Sequence, residues 1–100
     1  MANRIELCGR LANPPSLRVT PAGTAVLSLV VDCGEKAGQL QMPVVMAGEP
    51  ARALAGRLGQ GLAVRACGSL RLIHARSRIG AAHPGVEVLA DKITLADERI

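Results

Sequence analysis

The feature that most constrains this chain is its hydrophobic period, which is two along most of the sequence and changes around residues 50–58. Apolar and polar residues that alternate in this way are typical of half-buried strands. The alternation is clearest over 62–76, where the odd positions are mainly polar and the apolar even positions are Leu62, Val64, Ala66, Leu70 and Leu72. The chain is therefore predicted to fold mostly into strands.

The pattern predicts five strands. The first covers residues 4–9 and resumes at 17–20, after a break at 13–16 that contains two prolines. The other strands are predicted over 24–32, 39–47, 62–76 and 86–90. Ile93 and Leu95 are expected to extend the last strand after a register slip.

A short helix is predicted between the third and fourth strands, over residues 50–58. Its apolar face consists of Ala51, Leu54, Ala55 and Leu58, which follow a helical period. Pro50 suits its first turn, and Gly59 and Gly61 suit its end. In the strand that follows, Gly68 interrupts the inward row, which indicates a bulge or a strong bend.

Three strands, a short helix and two strands are the plan of the OB-fold, an all-β five-stranded Greek-key barrel. One hundred residues suit one small domain, so residues 1–100 are expected to form a single OB-fold domain. This fold binds oligonucleotides and oligosaccharides on the face of strands 2 and 3 and through the loops that join strands 1–2 and 4–5. Those loops are expected to carry Arg18 on one side and Arg76 and Arg78 on the other.

Positive charge is concentrated in the second half of the chain. The net charge is +4, from twelve basic and eight acidic residues, and residues 1–50 are neutral. Six arginines and no acidic residue lie between Glu49 and Glu87. Because the planar guanidinium of arginine matches phosphate oxygens, phosphate binding is the favoured interpretation. The alternative is that a GC-rich genome favours arginine codons and that the basic face is simply solvated.

Several classes of site are excluded or disfavoured by composition. The chain has no Phe, Trp or Tyr, so it cannot build a stacking site from its own aromatic side chains. Cys8, Cys33 and Cys67 are odd in number and widely spaced, which predicts reduced thiols and no metal or other cofactor. His83 is expected to be solvated, and His74 is expected to cap the sheet or contact DNA. We therefore predict no catalytic residue, and the protein is not expected to be an enzyme.

The third predicted strand raises the question of oligomeric state. Pro43 cannot donate to a ladder, so the strand is expected to be an edge or to carry a bulge there. Its apolar run 44–46 would leave an unprotected edge in a monomer. We interpret this edge as a dimer seam, the alternative being that loops or the first strand cover it. Met42 and Met46 share one face and are expected to pack in the core or at that seam.

Three segments resemble the PriB family, the bacterial primosomal replication proteins N, an offshoot of the single-stranded DNA-binding proteins. They are Asn-Arg-Ile-Glu-Leu-Cys-Gly at 3–9, Ser-Leu-Arg-Val-Thr-Pro-Ala-Gly at 16–23 and Gln-Met-Pro-Val-Val-Met-Ala-Gly at 41–48. The first pattern is shared with many single-strand binders, and the Gln-Met-Pro-Val run is more specific. Gly68, the basic residues after His74 and the closing run 90–95 also fit in order, so the resemblance covers nearly the whole chain.

The resemblance implies a homodimeric accessory factor without catalytic activity. Members bind single-stranded DNA at abandoned replication forks, stabilise the PriA helicase there and help to pass the complex on towards reloading of the replicative helicase. DnaT and the replicative helicase loading complex are the further partners that it suggests. It also implies a cytoplasmic, nucleoid-associated protein, consistent with the expected lack of a membrane span or a signal peptide.

The candidate DNA contacts come from two sources. By position, the resemblance assigns them to Arg18, Arg76 and Arg78. From the residues themselves we add Arg71, on the outward row of the fourth strand, and Arg10, which precedes the first loop.

One departure from the family affects the expected binding mode. Some members have a tryptophan before the Gln-Met-Pro run and an aromatic residue after the fourth-strand glycine, where this chain has positions near Gln39 and Ser69. Stacking contributes ~1–3 kcal/mol per base, so binding is expected to be weaker and more salt-sensitive unless arginine planes stack instead. The alternatives are a primosomal adaptor with weak or lost DNA binding, or a generic OB-fold binder of single strands, including RNA.

Overall fold

The computed structural model describes residues 2–34, 40–73 and 85–96. This part of the chain forms six strands and one helix: β1 (Ile5–Leu11), β2 (Ser16–Val19), β3 (Ala25–Asp32), β4 (Gln41–Ala47), α1 (Glu49–Ala55), β5 (Ala63–Ile73) and β6 (Gly85–Leu95). The connection between the second and third predicted strands falls largely outside these residues, as does the loop predicted between the fourth and fifth strands. His74, at the predicted end of the fourth strand, and Arg76, Arg78 and His83 also lie outside the described residues.

The strands close into a barrel. Their order is β1-β5-β6-β4-β3-β2, and a further pairing of β1 with β3 completes the ring. β4 and β6 are parallel, and the other pairs are antiparallel. β2 pairs with the first half of β3 and β1 with its end, so β1 and β2 together fill the place of one first strand, broken where the two prolines lie. The predicted all-β OB-fold is confirmed.

The core lies inside the barrel and is built from the alternate residues of its strands. β3 contributes most regularly, with every second residue from Ala25 to Val31 buried. Met46 is buried and Met42 packs against the same core, so these two face inward as expected. α1 packs against β3 and β4 through Ala51 and Leu54. It is shorter than predicted, since it ends at Ala55 with Gly56 as its cap, and Leu58 packs on the core from beyond the helix.

The opening motif of the chain is explained by ring closure. The Asn3 side chain donates to the carbonyl of Leu70 at 2.8 Å and accepts from the Leu70 N–H at 3.1 Å, which continues the β1–β5 ladder by one step. A Cβ at Gly9 would lie within 2.3 Å of the Asp32 carbonyl oxygen. Gly9 therefore lets β1 approach β3 closely enough to close the barrel.

A bulge lies at the glycine for which the sequence predicts one. Cys67 pairs with Lys92 and Gly68 pairs with Ala90, which leaves Asp91 as the extra residue on β6. A Cβ at Gly68 would lie within 2.0 Å of the Leu89 carbonyl oxygen, so only glycine fits where the two strands draw together. The predicted register slip in the last strand is this bulge.

Two expectations are corrected. Leu72, predicted to face the core, is 62% exposed, because only β6 flanks β5 at that point and the pair runs past the other strands. The edge of β4 at Val44 and Val45 is paired with Val88 and Leu89 of β6. That run is therefore not an unprotected edge, and it is the last strand, rather than a loop or the first strand, that covers it.

Candidate nucleic-acid interface

The outward-facing residues of β3 and β4, which alternate with the buried core residues, are mostly apolar. They are half-buried or exposed and project away from the core, since their neighbours along each strand are inward-facing. We call this surface the aliphatic strip; it consists of Val26, Ser28 and Val30 of β3, Pro43, Val45 and Ala47 of β4, and Leu89 of β6, which pairs with Val45. It occupies the strand face through which OB-folds bind oligonucleotides.

Arg18 borders one end of the strip. It lies in β2 rather than in a loop, directly opposite Val26, and its side chain is exposed. The short turn from Thr20 to Thr24, closed by the Gly23 N–H donating to the Thr20 carbonyl at 2.8 Å, fixes β2 against β3. Arg18 is thereby held at the margin of an uncharged surface, where a phosphate that follows the strip would meet it.

Arg10 lies at the far end of the same row. Its partner across the β1–β3 pair is Asp32, and its guanidinium donates to the Gly61 carbonyl at 2.9 Å. Asp32 is six positions after Val26 in β3, a distance of about 20 Å along the strand. Arg10 and Arg18 are therefore at opposite ends of the strip and do not form one cluster.

Arg71 is engaged by a carboxylate. Its Nε donates to Oε2 of Glu87 at 2.5 Å, across the β5–β6 pair. The Glu87 side chain is only 14% exposed, so the guanidinium balances a carboxylate that is largely removed from water. Arg71 does face outward as expected, beside the strip, but its guanidinium is already paired with a carboxylate of the protein itself. Arg76 and Arg78 lie outside the described residues.

The outer face of β1, β5 and the second half of β6 has a different character. We call it the paired face; its residues are Arg4, Glu6, Cys8, Arg65, Cys67, Asp91 and Lys92. Here Arg4 forms a fork with Asp91, from Nη1 to Oδ2 at 2.5 Å and from Nη2 to Oδ1 at 3.4 Å. The hydrogen bond from Arg4 lowers the pKa of Asp91 and raises that of Arg4.

The cysteines of the paired face are held by charged neighbours. The Cys67 thiol lies 3.6 Å from Oε2 of Glu6. Partial desolvation is the main cause that raises the pKa of Cys67, and the contact with Glu6 is the second. Arg65 lies directly opposite Cys8, and its interaction with the Cys8 side chain raises the pKa of the guanidinium. A raised pKa leaves less of the Cys67 thiol as the nucleophilic thiolate.

Sequence reasoning missed the aliphatic strip. A signal for it exists in the segment 24–32, where Val26 and Val30 are apolar on the face opposite to Leu27, Leu29 and Val31. A strand with apolar residues on both faces either is covered on both or presents one of them to a ligand. Which strand lies beside it, and so whether the apolar face is continuous, depends on the register with β4.

Within residues 2–34, 40–73 and 85–96, no His, Cys, Asp and Glu side chains gather in threes as a metal site would require. Nor does any helix of this described part have the length and hydropathy that a membrane crossing needs.

The comparisons with known proteins fit this geometry. No curated protein matches the chain significantly. The sequence pattern of the single-strand binding protein family, in contrast, matches residues 2–96, nearly the whole chain and all six strands. Proteins of this family bind single-stranded DNA and are not enzymes. From its barrel, its outer face and this match, we conclude that the chain belongs to the single-strand binding protein family.

Proposed function

We propose that this protein is a primosomal accessory factor that resembles PriB: it holds single-stranded DNA along the aliphatic strip and stabilises the PriA helicase on stalled forks for replication restart. Family membership supports the DNA-binding part. The Gln-Met-Pro-Val run at 41–44 and the order of the other matching segments support the primosomal part.

The observation that carries the proposal is the aliphatic strip with a cation at its margin. Along β3 and β4, no ionisable side chain lies on the strip between Arg18 and Asp32. Bases can lie against Val45 and Leu89 while the backbone passes Arg18. In the absence of aromatic rings, affinity then comes mainly from counterion release and arginine–phosphate hydrogen bonds, with little preference for sequence.

The five candidate arginines receive different roles in this proposal. Arg18, Arg76 and Arg78 contact phosphates directly. Arg71 holds Glu87 and adds to the positive field from beside the strip. Arg10 contributes at the far end, where its hydrogen bond to the Gly61 carbonyl fixes its position.

The partners are proposed on the strength of the resemblance. They are PriA, then DnaT and the replicative helicase loading complex, with the protein acting as a cytoplasmic, nucleoid-associated homodimer. Since β4 is paired with β6, the dimer needs another surface. In the described ladders, β2 and residues 5–9 of β1 each have a partner strand on one side, and these edges are the candidate seams.

The test is fluorescence anisotropy of an end-labelled oligo-dT over a series of salt concentrations. Binding that falls steeply with log[salt] is expected, and its slope counts the phosphates engaged. Arg76→Ala and Arg78→Ala are each expected to reduce that slope by about one. Equal losses of affinity in both variants with an unchanged slope would contradict the assigned contacts.

A second candidate function is a primosomal adaptor without DNA binding. The engagement of Arg4, Arg52 and Arg71 by acidic side chains favours it, since each pair removes a cation from the charge available to DNA. It predicts no binding of oligo-dT even at low salt, together with retention of PriA in a pull-down. Steep salt-dependent binding would reject it.

A further inference from the structure

A cleft opens where β4 and β6 part. The two strands pair only at Val44–Val45 and Val88–Leu89. Beyond these residues β4 leads into α1, while β6 stays paired with β5 across the bulge. The resulting cleft has a volume of about 400 Å³, within the range of small-molecule sites. It is lined by Met46, Ala47, Pro50, Ser69, Leu89, Ala90 and Asp91. Ala47 and Leu89 also belong to the aliphatic strip, so the cleft is a recess in that surface.

The bulge determines which polar group reaches the cleft. Asp91 is the residue that β6 inserts opposite the Cys67–Gly68 step, and bulges commonly serve to redirect one side chain. The bulge itself places Asp91 in the lining of the cleft, and its exposed carboxylate also accepts the fork from Arg4. A carboxylate has about four acceptor sites, so two remain after the fork is formed.

The lining has the composition of a site for a flat apolar ring with hydrogen-bond donors on its edge. Alanine, proline, methionine and leucine side chains form the walls, and the polar side chains are Ser69 and Asp91. The hydroxyl of Ser69 can donate to a ring carbonyl, while Asp91 accepts from ring N–H groups. Nucleobases of single strands are recognised in this manner, by contacts with their faces and hydrogen bonds to their Watson–Crick edges.

We propose that this cleft is a base-binding subsite that prefers guanine to thymine in the bound strand. The inference rests on the proposed function, since the base reaches the cleft from a strand that lies along the strip. Guanine presents two neighbouring N–H groups to the Asp91 carboxylate and its carbonyl oxygen to Ser69. Thymine presents a single N–H between two carbonyl oxygens, which the carboxylate repels.

The test compares two labelled oligonucleotides of equal length in the anisotropy assay: oligo-dT and a dT strand with an isolated dG at every third position. The guanine-containing strand is expected to bind about tenfold more tightly, in line with a bidentate contact to a base. In Asp91→Asn the preference is expected to disappear, because an amide has only one acceptor oxygen. Affinity of this variant for oligo-dT should rise slightly, since one negative charge is removed.

Arg4→Gln is the matched control. It breaks the same ion pair but leaves the carboxylate in place, so the preference for guanine should persist. An equal loss of preference in both variants would assign the effect to the ion pair and overturn the inference. Equal binding of the two oligonucleotides by the wild type would overturn it as well, while leaving the proposed function intact. Failure to bind either strand would overturn both.

Discussion

The aliphatic strip and the paired face are both outer surfaces of one barrel, yet they treat charge in opposite ways. On the paired face, Arg4 forms an ion pair with Asp91 and Arg65 packs against Cys8. On the strip, the ionisable groups stand at the margins, with Arg18 at one end and Asp32 at the other. The barrel thus separates a surface that carries charges of both signs, with Arg4 and Asp91 ion-paired, from one whose apolar centre is left uncovered.

This difference shows that the number of arginines does not locate the DNA-binding surface. The run between Glu49 and Glu87 has six arginines and no acidic residue, which suggests one basic patch. In three dimensions Arg52 approaches Glu49 at 3.7 Å and Arg71 bonds to Glu87, so residues just outside the run compensate part of it. A phosphate competes poorly for a guanidinium that already holds a carboxylate, and this is why the proposed contact is Arg18, which lies beside an uncharged surface.

Gly68→Ala should have the strongest effect, because the bulge at Gly68 lies between the aliphatic strip and the paired face. Gly68→Ala would place a Cβ 2.0 Å from the Leu89 carbonyl oxygen and 2.8 Å from the Cα of Ala90, both of them backbone atoms. We expect a loss of about 3 kcal/mol in the free energy of unfolding, measured by urea titration. A loss of DNA affinity with unchanged stability would instead show that the bulge serves the aliphatic strip alone.

Gly56→Ala is the control for that substitution. No heavy atom lies within 4 Å of its added Cβ, and its backbone is already in the helical region. Alanine there should be neutral or stabilise the protein by about 0.4–1 kcal/mol, because it restricts the unfolded chain.

The second effect distinguishes a cation that supports the fold from one that binds DNA. Arg71→Ala would leave the carboxylate of Glu87 without its guanidinium in a position only 14% exposed. The expected cost is roughly 1–3 kcal/mol of unfolding free energy. The slope of log affinity against log[salt] for oligo-dT should change less than in Arg18→Gln. A loss of slope of about one, with unchanged stability, would instead make Arg71 a direct phosphate contact.

These pairings also mark the limit of prediction from the sequence. The OB-fold could be predicted because the period of two, the single helical segment and Gly68 are local properties. The ion pairs could not be predicted, since Arg4 and Asp91 are 87 residues apart and meet only because of the strand order β1-β5-β6 and the bulge. The strip has the same origin: Val45 and Leu89 become neighbours through a parallel pair of only two residues on each strand.

The third prediction compares two variants of equal net charge, in which the removed arginine lies on different faces of the barrel. Arg18→Gln and Arg65→Gln each remove one positive charge, the first from the margin of the strip and the second from the paired face. We expect the salt slope for oligo-dT to fall by about one in Arg18→Gln and to stay unchanged in Arg65→Gln. Equal effects would mean that the protein attracts DNA through its overall charge, and the distinction between the two faces would lose its functional meaning.

The smallest effect tests whether the paired face is paired in solution. The hydrogen bond from Arg4 is the main cause that lowers the pKa of Asp91. A carboxyl group with a lowered pKa in the folded state stabilises the protein above its ordinary pKa of about 3.9, and this contribution is lost as the pH falls through the folded value. Arg4→Gln should therefore be slightly less stable than the wild type at pH 6 and low salt, with the difference vanishing in strong acid.

High salt should weaken the same difference at pH 6, because both side chains are about 60% exposed and the pair is screened. The measurement is urea unfolding of the two proteins at pH 6 and pH 2, each at low and high ionic strength. A difference that is the same at all four conditions would come from packing of the Arg4 side chain. In that case Asp91 is not held by Arg4, and the paired face would lose the ion pair on which its contrast with the aliphatic strip depends.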